Sequence, residues 1–369
     1  MKSHYGKILI DCREFVHGRL TGIGRVLAGL IDALIKADFA EKLDLAVFSD
    51  HSVPCTLSGK EKIEFKKVSS SFFKSESALT SLSKQGYDLF ISPYPKLPLF
   101  GTLCPSVNII HDVLDLTHPA YKRRFKVFFD IFRLKSALKK ADLTWFDSEW
   151  SRKETKIHFR MPEKKTSVRY PGIDESFTTK SKGDEYEILN SYRLSPGYIF
   201  VIGNGKPHKN LGIIIDANRK IQREIAFAGV LQSNQTFWKK RYPESRCIWL
   251  EYIEEEHISV LIRNAFCLAQ PSTAEGYGYP PLEAMACGVP AVVSNIPVLI
   301  ETTGGNAITA DPLNGGDWIK AFQELEDDSF RKDQVERGLN WIKPLRGSQA
   351  WQGYISDLED LLESEKRSC

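Results

Sequence analysis

No run of eighteen uninterrupted apolar residues occurs among the 369 of this chain, so a membrane-spanning helix is not expected. The opening residues 1–7 lead into only three strongly apolar ones, Ile8, Leu9 and Ile10, and lack the apolar centre of a secretory signal. The seven cysteines (Cys12, Cys55, Cys104, Cys247, Cys267, Cys287 and Cys369) are odd in number, scattered, and never in a C-x-x-C pair. Neither a zinc site nor a disulfide framework is suggested, and a reducing cytoplasm fits that usage. Cys267 and Cys287 lie in apolar runs and read as small core residues. The third glycine of a dinucleotide fingerprint is missing too. Thr21-Gly22-Ile23-Gly24-Arg25 has Leu27 where that glycine would stand, which disfavours a nicotinamide site and hence a sugar-nucleotide epimerase. A net charge of only +3, with no recognised nucleic-acid motif, argues against a nucleic-acid partner.

What is present is an ordinary soluble composition, 42% hydrophobic and 26% charged, in a chain long enough for two domains with separate cores. Charge is unevenly spread. Residues 1–180 hold thirty Lys and Arg against twenty-one Asp and Glu, whereas the remainder holds twenty against twenty-six. The basic half is thereby directed toward an anionic surface or ligand. Strands are expected at residues 7–11, 45–49, 89–92, 107–111 and 143–147. A helix is expected over 25–36, with Val26, Leu27, Leu30, Ile31 and Leu34 on one face. The polar, turn-rich stretch 180–185 reads as the linker. A second alternating set follows, with strands at 198–203, 225–230, 247–250, 266–269 and 291–294, and a last helix near 348–363. Alternation of this kind predicts an α/β protein with two doubly wound parallel sheets.

The most informative stretch is Glu275-Gly276-Tyr277-Gly278-Tyr279-Pro280-Pro281-Leu282-Glu283. A buried strand precedes it and a helix-forming run follows, ending at Gly288 with Pro290 beyond. Pro280 and Pro281 suit a first helical turn, and the glycines allow close backbone approach to a ligand. Strand, loop and helix N-terminus then converge where an anion, usually phosphate, is favoured. Glu283 is expected in the first helical turn, ionised and able to accept from a vicinal diol such as a ribose. Glu275 could serve a second polyol. Phosphate donors between two polyol acceptors describe a nucleotide-sugar site. Taken alone, the same two glutamates would also fit a helix cap and a solvated loop residue.

Residues 275–290, EGYGYPPLEAMACGVP, resemble the E-x7-E signature of the retaining glycosyltransferases of family four, which have the GT-B fold. The resemblance covers most of the chain in family order. Gly22-Ile23-Gly24 resembles the glycine loop that lies against donor diphosphate and acceptor. Residues 203–211, from Gly203 and Asn204 to Lys209, Asn210 and Leu211, resemble the G-x-x-x-P-x-K-N-L segment. Many members carry an arginine a few residues before that lysine; here Asn204 stands near its place, and Lys206 is the available substitute without the bidentate fork. His111-Asp112 resembles the strand-end pair whose histidine lines the donor sugar pocket. Residues 147–151, 170–174, 295–301 and 304–307 resemble further family segments.

The resemblance implies a GT-B enzyme with two Rossmann-like domains facing a central crevice. Residues 1–180 would be the acceptor-side domain, with the helix near 348–369 packing back on it, and residues 181–347 the nucleotide-sugar domain. Glu283 would bind ribose, Glu275 the sugar hydroxyls, and Gly276, Tyr277, Gly278, Tyr279, Gly203, Asn204 and Lys209 the diphosphate region. His111 with Gly22 and Gly24 would close the site, and Glu275, His111 and Lys209 are the expected catalytic group. No metal or other cofactor is expected, because no D-x-D motif stands at a strand end and Lys209 would supply the charge. The implied activity is retaining hexosyl transfer to a glycan or lipid-linked acceptor, in the manner of mannosyltransferases of surface polysaccharide synthesis. An inverting enzyme using Asp112 as base, or a non-catalytic sugar-nucleotide-binding subunit, are the alternatives; loss of Glu275, Lys209 or His111 would mark the latter, and all three are present.

Residues 121–140, YKRRFKVFFDIFRLKSALKK, carry eight Lys and Arg against one Asp, with Phe125, Phe128, Phe129 and Phe132 at helical spacing. Two readings remain open here. The phenylalanines face a core and the basic side is incidental, or the helix docks on anionic lipid headgroups at the inner face of a membrane.

Overall fold

The computed structural model describes residues 5–15, 21–51, 57, 59–119, 121, 126–162, 166–181, 183–221 and 223–368. The chain divides into two compact units, Met1–Gly172 with Gly347–Cys369, and Ile173–Arg346. The first is built on β1 (Tyr5–Asp11), β2 (Ala40–Phe48), β3 (Ile63–Val68), β4 (Leu89–Ser92), β5 (Ser106–Ile110), β6 (Leu143–Phe146) and β7 (Thr166–Val168). They pair in parallel in the order β3-β2-β1-β4-β5-β6-β7. Ile8, Leu9 and Ile10 are wholly buried, as a central parallel strand covered on both faces requires. The order reverses between β1 and β4, the point where open α/β sheets hold ligands.

The helix Gly22–Lys36 follows β1 and buries Val26, Leu27, Leu30, Ile31 and Leu34. It starts three residues earlier than the periodicity indicates, because the Thr21 hydroxyl caps it by accepting from the Gly24 N–H at 3.1 Å. The last helix, Gln352–Ser368, belongs to this unit. Its Asp357 accepts from Trp145 Nε1 at 2.8 Å and Arg169 Nη2 at 2.5 Å, while the Tyr354 hydroxyl donates to Arg169 O at 2.7 Å. Trp351, just before that helix, lies so close to Gly29 and Gly172 that a Cβ on either would collide with it.

The second unit has β8 (Ile199–Ile202), β9 (Ile225–Ala228), β10 (Cys247–Leu250), β11 (Cys267–Gln270), β12 (Ala291–Ser294) and β13 (Ile308–Ala310). All pairs are parallel, in the order β10-β9-β8-β11-β12-β13. One core cluster joins β8, β9, β11 and β12 to the helices Leu211–Ile221 and Gly315–Glu324, with Trp318 fully buried. Both units are therefore Rossmann-like, each with its own reversal point.

The boundary differs from the stretch 180–185. Residues 173–180 belong to the second unit: Ile173 N–H bonds Leu345 O at 2.8 Å and Arg263 Nη1 bonds Thr178 O at 2.9 Å. Arg263 also forks onto Glu185 at 2.9 and 2.5 Å, so a segment polar enough to read as linker is pinned by an ion pair. The helix Lys126–Lys140 overturns the core-facing reading of the phenylalanines. Val127, Leu134, Ala137 and Leu138 are its buried stripe, whereas Phe128, Phe129 and Phe132 are exposed. Phe125, with Lys122, Arg123 and Arg124, lies outside the described residues. Among the described residues no helix is long and apolar enough to cross a membrane.

Candidate functional site

At the reversal of the second sheet, β8 and β11 are neighbours, and the loops that leave their carboxyl ends lie side by side. The loop after β8 turns into a short 3-10 helix, Pro207–Lys209, and Asn210 follows in the left-handed conformation with φ 50°. Asn210 Nδ2 donates to Pro271 O at 3.1 Å and to Pro312 O at 2.7 Å. Thr273 N–H donates to His208 O at 2.8 Å. These bonds hold the two loops in register and bring Lys209 to Glu275. Lys209 Nζ donates to Glu275 Oε1 at 2.6 Å, and the lysine stem runs along Gly203, where an added Cβ would touch it at 3.5 Å. Gln270 Nε2 donates to the same Glu275 oxygen at 2.5 Å and to Ser272 Oγ at 3.0 Å. Burial opposes ionisation of Glu275, yet the charge and hydrogen bond of Lys209 outweigh it and hold the carboxyl below its usual range.

Past Glu275 the chain runs through buried Gly276 and Tyr277 to Gly278, whose φ of 92° is open to glycine alone. A Cβ there would also collide with Leu299. Gly278 caps the helix Tyr279–Ala286, which holds Pro280 and Pro281 in its first turn. The Tyr277 and Tyr279 rings pack edge to face at 5.0 Å. Because the left-handed glycine makes the turn, the helix is already under way at Tyr279. Glu283 is thus its fifth residue and not in the first turn as expected, and it is only 1% exposed. The helix N-terminus opens at the loop and adds partial positive charge there. Asn204 is exposed, and its Oδ1 accepts from Lys206 N–H at 3.1 Å, so it shapes the loop.

In the first unit, His111 follows β5 directly. Its Nδ1 pairs with Asp147 Oδ2 at 2.5 Å and its Nε2 with Pro93 O at 3.1 Å. Burial works against the imidazolium, but the Asp147 charge prevails and raises the His111 pKa above its ordinary value. The adjacent Asp112 lies just ahead of the short helix Leu114–Thr117, its Oδ1 accepting from Leu114 N–H at 2.9 Å. Gly24 spends its N–H on the Thr21 cap, which removes one of the two donors expected to face a phosphate; around Gly22 nothing would meet an added Cβ within 4 Å. The Thr21 hydroxyl in turn donates to Glu14 at 2.6 Å, and the Tyr94 hydroxyl reaches the other Glu14 oxygen at 3.2 Å.

Several of these partners escaped sequence reasoning. Gln270 closes an apolar strand, and a buried amide at a strand's carboxyl end was the signal available for it. Asp147 lies thirty-six positions from His111, and only the pairing of β5 with β6 brings them together.

The family model described as "Glycosyl transferases group 1" matches residues 189–341. The "O-antigen chain mannosyltransferase B" of Escherichia coli is 28% identical over 362 residues, covering 91% of this chain and 95% of that one. The matched segment is a group 1 glycosyl transferase domain, and the chain is a glycosyltransferase. Sucrose-phosphate synthase from Thermosynechococcus elongatus superposes with a TM-score of 0.79 at 16% identity, over 99% of this chain and 100% of that one. Anabaena Alr3699/HepE, solved in complex with UDP-glucose, gives 0.73 at 18% identity over 99% and 100%. The fold class of this glycosyltransferase is accordingly GT-B, with two Rossmann-like α/β domains. Lys209, Glu275 and Glu283 fall inside the matched segment, whereas Gly22, Gly24 and His111 precede it.

Proposed function

We propose that this glycosyltransferase moves a hexose, with mannose the first to be tested, from a nucleotide-diphosphate sugar to a glycan or lipid-linked acceptor, retaining the anomeric configuration, in O-antigen-type polysaccharide assembly. The pairing of Lys209 with Glu275 beside the N-terminus of Tyr279–Ala286 carries this reading. A diphosphate is the ligand that a lysine ammonium, loop N–H groups and a helix N-terminus favour together. Glu275, kept ionised, is an acceptor for sugar hydroxyls, and Glu283 is assigned to the ribose. The name of the Escherichia coli relative supports mannose and O-antigen, and the UDP-glucose complex of the Anabaena protein supports a nucleotide-sugar donor.

Retention follows if the acceptor attacks from the face the leaving group departs. The bond from the anomeric carbon to the diphosphate oxygen breaks as the acceptor oxygen bonds to that carbon. The acceptor's hydroxyl proton passes to the departing diphosphate. Lys209 then offsets the charge growing on the leaving group, which is the term that lowers the barrier, and no metal is needed. Asp112 as general base of an inverting reaction is disfavoured because its Oδ1 is held by the Leu114 N–H. The proposed setting is the cytoplasm, at the inner face of the membrane where a lipid-linked acceptor resides.

A panel of nucleotide sugars screened by thermal stabilisation is the first experiment, since a ligand bound to the folded state raises apparent stability by mass action. One nucleotide-diphosphate sugar should stand out. Proton NMR of the product formed with it, in chelator, should show the donor's anomeric configuration. Stabilisation by none of the panel, or an inverted product, would refute the proposal or its retaining part respectively.

A further inference from the structure

The first unit gathers apolar side chains that its core does not use. Phe72 and Phe73 open the helix Phe72–Ser83, and Phe128, Phe129 and Phe132 lie on the helix Lys126–Lys140. Phe128 is 72% exposed, Phe73 67% and Phe132 63%, far more than folding asks of aromatic rings. The two helices meet through these residues, with Phe72 edge-on to Phe129 at 5.9 Å and to Phe73 at 5.1 Å. Beneath them Arg133 is buried, its guanidinium 5.7 Å from the Phe72 ring centre and 6.0 Å from that of Phe129. Arg133 is locked in turn by Glu76 at 2.6 Å and Leu97 O at 2.7 Å. The cluster is therefore held from below by a buried ion pair while its outer rings stand in solvent. Contiguous exposed apolar surface of this kind marks a docking site.

Charge decides what docks. Exposed Lys135, Lys139 and Lys140 lie on the same helix as the phenylalanines, and Asp130 is its one acid. A cavity of about 380 Å³ beside Phe132 takes Arg133 and Lys140 into its wall. Aromatic rings flanked by lysines suit a bilayer interface, where rings enter the acyl boundary and ammonium groups meet phosphodiesters. We infer that Phe72, Phe73, Phe128, Phe129 and Phe132, with Lys135, Lys139 and Lys140, form the face by which this enzyme sits on an anionic lipid bilayer. This deepens the proposal of a lipid-linked acceptor, yet it stands apart from the transfer reaction, because surface binding is read without donor or acceptor.

The test is co-sedimentation of the intact protein with phosphatidylcholine vesicles, with and without phosphatidylglycerol, at low and high salt. The wild type should bind the anionic vesicles at least tenfold better, and salt should weaken that binding. Replacing Phe73, Phe128 and Phe132 together by Ser should cut binding at least tenfold, and Lys135→Gln with Lys139→Gln should reduce it severalfold. Unchanged thermal unfolding and unchanged nucleotide-sugar titration in these variants would separate this result from any failure of the transfer reading. No binding of the wild type to anionic vesicles, or wild-type binding by the Phe variant, overturns the inference. A concentration-dependent dimer that the Phe variant abolishes, without vesicle binding, would assign the face to a second copy of the chain instead.

Discussion

Lys209 and Glu275 stand sixty-six positions apart in the chain and 2.6 Å apart in the fold, joined from Nζ to Oε1. The cation assigned to a diphosphate is thus paired with the acid assigned to the sugar. Lys209 keeps Glu275 ionised and in place. On the proposed reading, a donor entering this cradle would take over part of that pairing, coupling its two ends through one contact.

Glu275→Gln separates those roles. A nucleoside diphosphate without sugar should bind the variant within a few-fold of wild type, because Lys209 loses its competitor. The full donor should lose about 1.5–3 kcal/mol, the worth of hydrogen bonds to a charged group, and turnover should fall with it. Equal losses for both ligands would place Glu275 at the phosphate rather than the sugar.

Glu76 anchors the first unit from within. It accepts from Arg13 at 2.9 Å, Arg133 at 2.6 Å and the Leu99 N–H at 2.8 Å, all while buried. Glu76→Ala would remove the carboxylate that pairs buried Arg133 and leave Arg13 with Asp11, and urea unfolding should show a loss of roughly 3–5 kcal/mol, as for other broken buried pairs. A loss under 1 kcal/mol would mean that water satisfies Arg133 in its place.

Gly278→Ala tests the loop that ends in the helix Tyr279–Ala286. The left-handed backbone costs an alanine about 1–2 kcal/mol, and the collision with Leu299 adds about 1–3 kcal/mol. Thermal unfolding should therefore shift down clearly, with nucleotide binding weakened as well. A variant as stable as wild type would contradict the backbone geometry described for Gly278.

His111 should make stability depend on pH in a defined direction. Folding raises its pKa above the ordinary value of about 6.5, so its pairing with Asp147 contributes fully below that value. The contribution is lost as pH rises through the higher folded value. The stability difference between wild type and His111→Gln, measured by denaturant unfolding, should be greatest near pH 6 and shrink toward pH 9. A difference that grows with pH would contradict the imidazolium assignment.

How much of this was legible in the sequence follows from what each feature depends on. Glu275, Lys209 and their loops were legible because glycines and prolines at strand ends act locally, through φ and missing N–H groups. The helix register was not, since the φ of 92° at Gly278 starts the helix at Tyr279 and moves Glu283 inward. Gln270 and Asp147 act through sheet pairing, which a linear reading does not carry. Three of the four edge strands were missed for another reason: β3 contains Glu64, Lys66 and Lys67, while β7 and β13 are three residues each. Edges need no apolar run and favour charge. The phenylalanines of Lys126–Lys140 had helical spacing, but spacing alone does not say which face a core claims.

The central claim is that Lys209 and the Glu275 loop hold the diphosphate of a nucleotide sugar. Calorimetric titration of wild type and Lys209→Ala with the nucleotide-diphosphate sugar that most stabilises the wild type tests it most directly. Affinity should fall at least tenfold in the variant, about 1.4 kcal/mol or more, when titrated at a temperature where the variant, its Glu275 no longer paired with Lys209, is still folded. Wild-type affinity in Lys209→Ala would contradict the account.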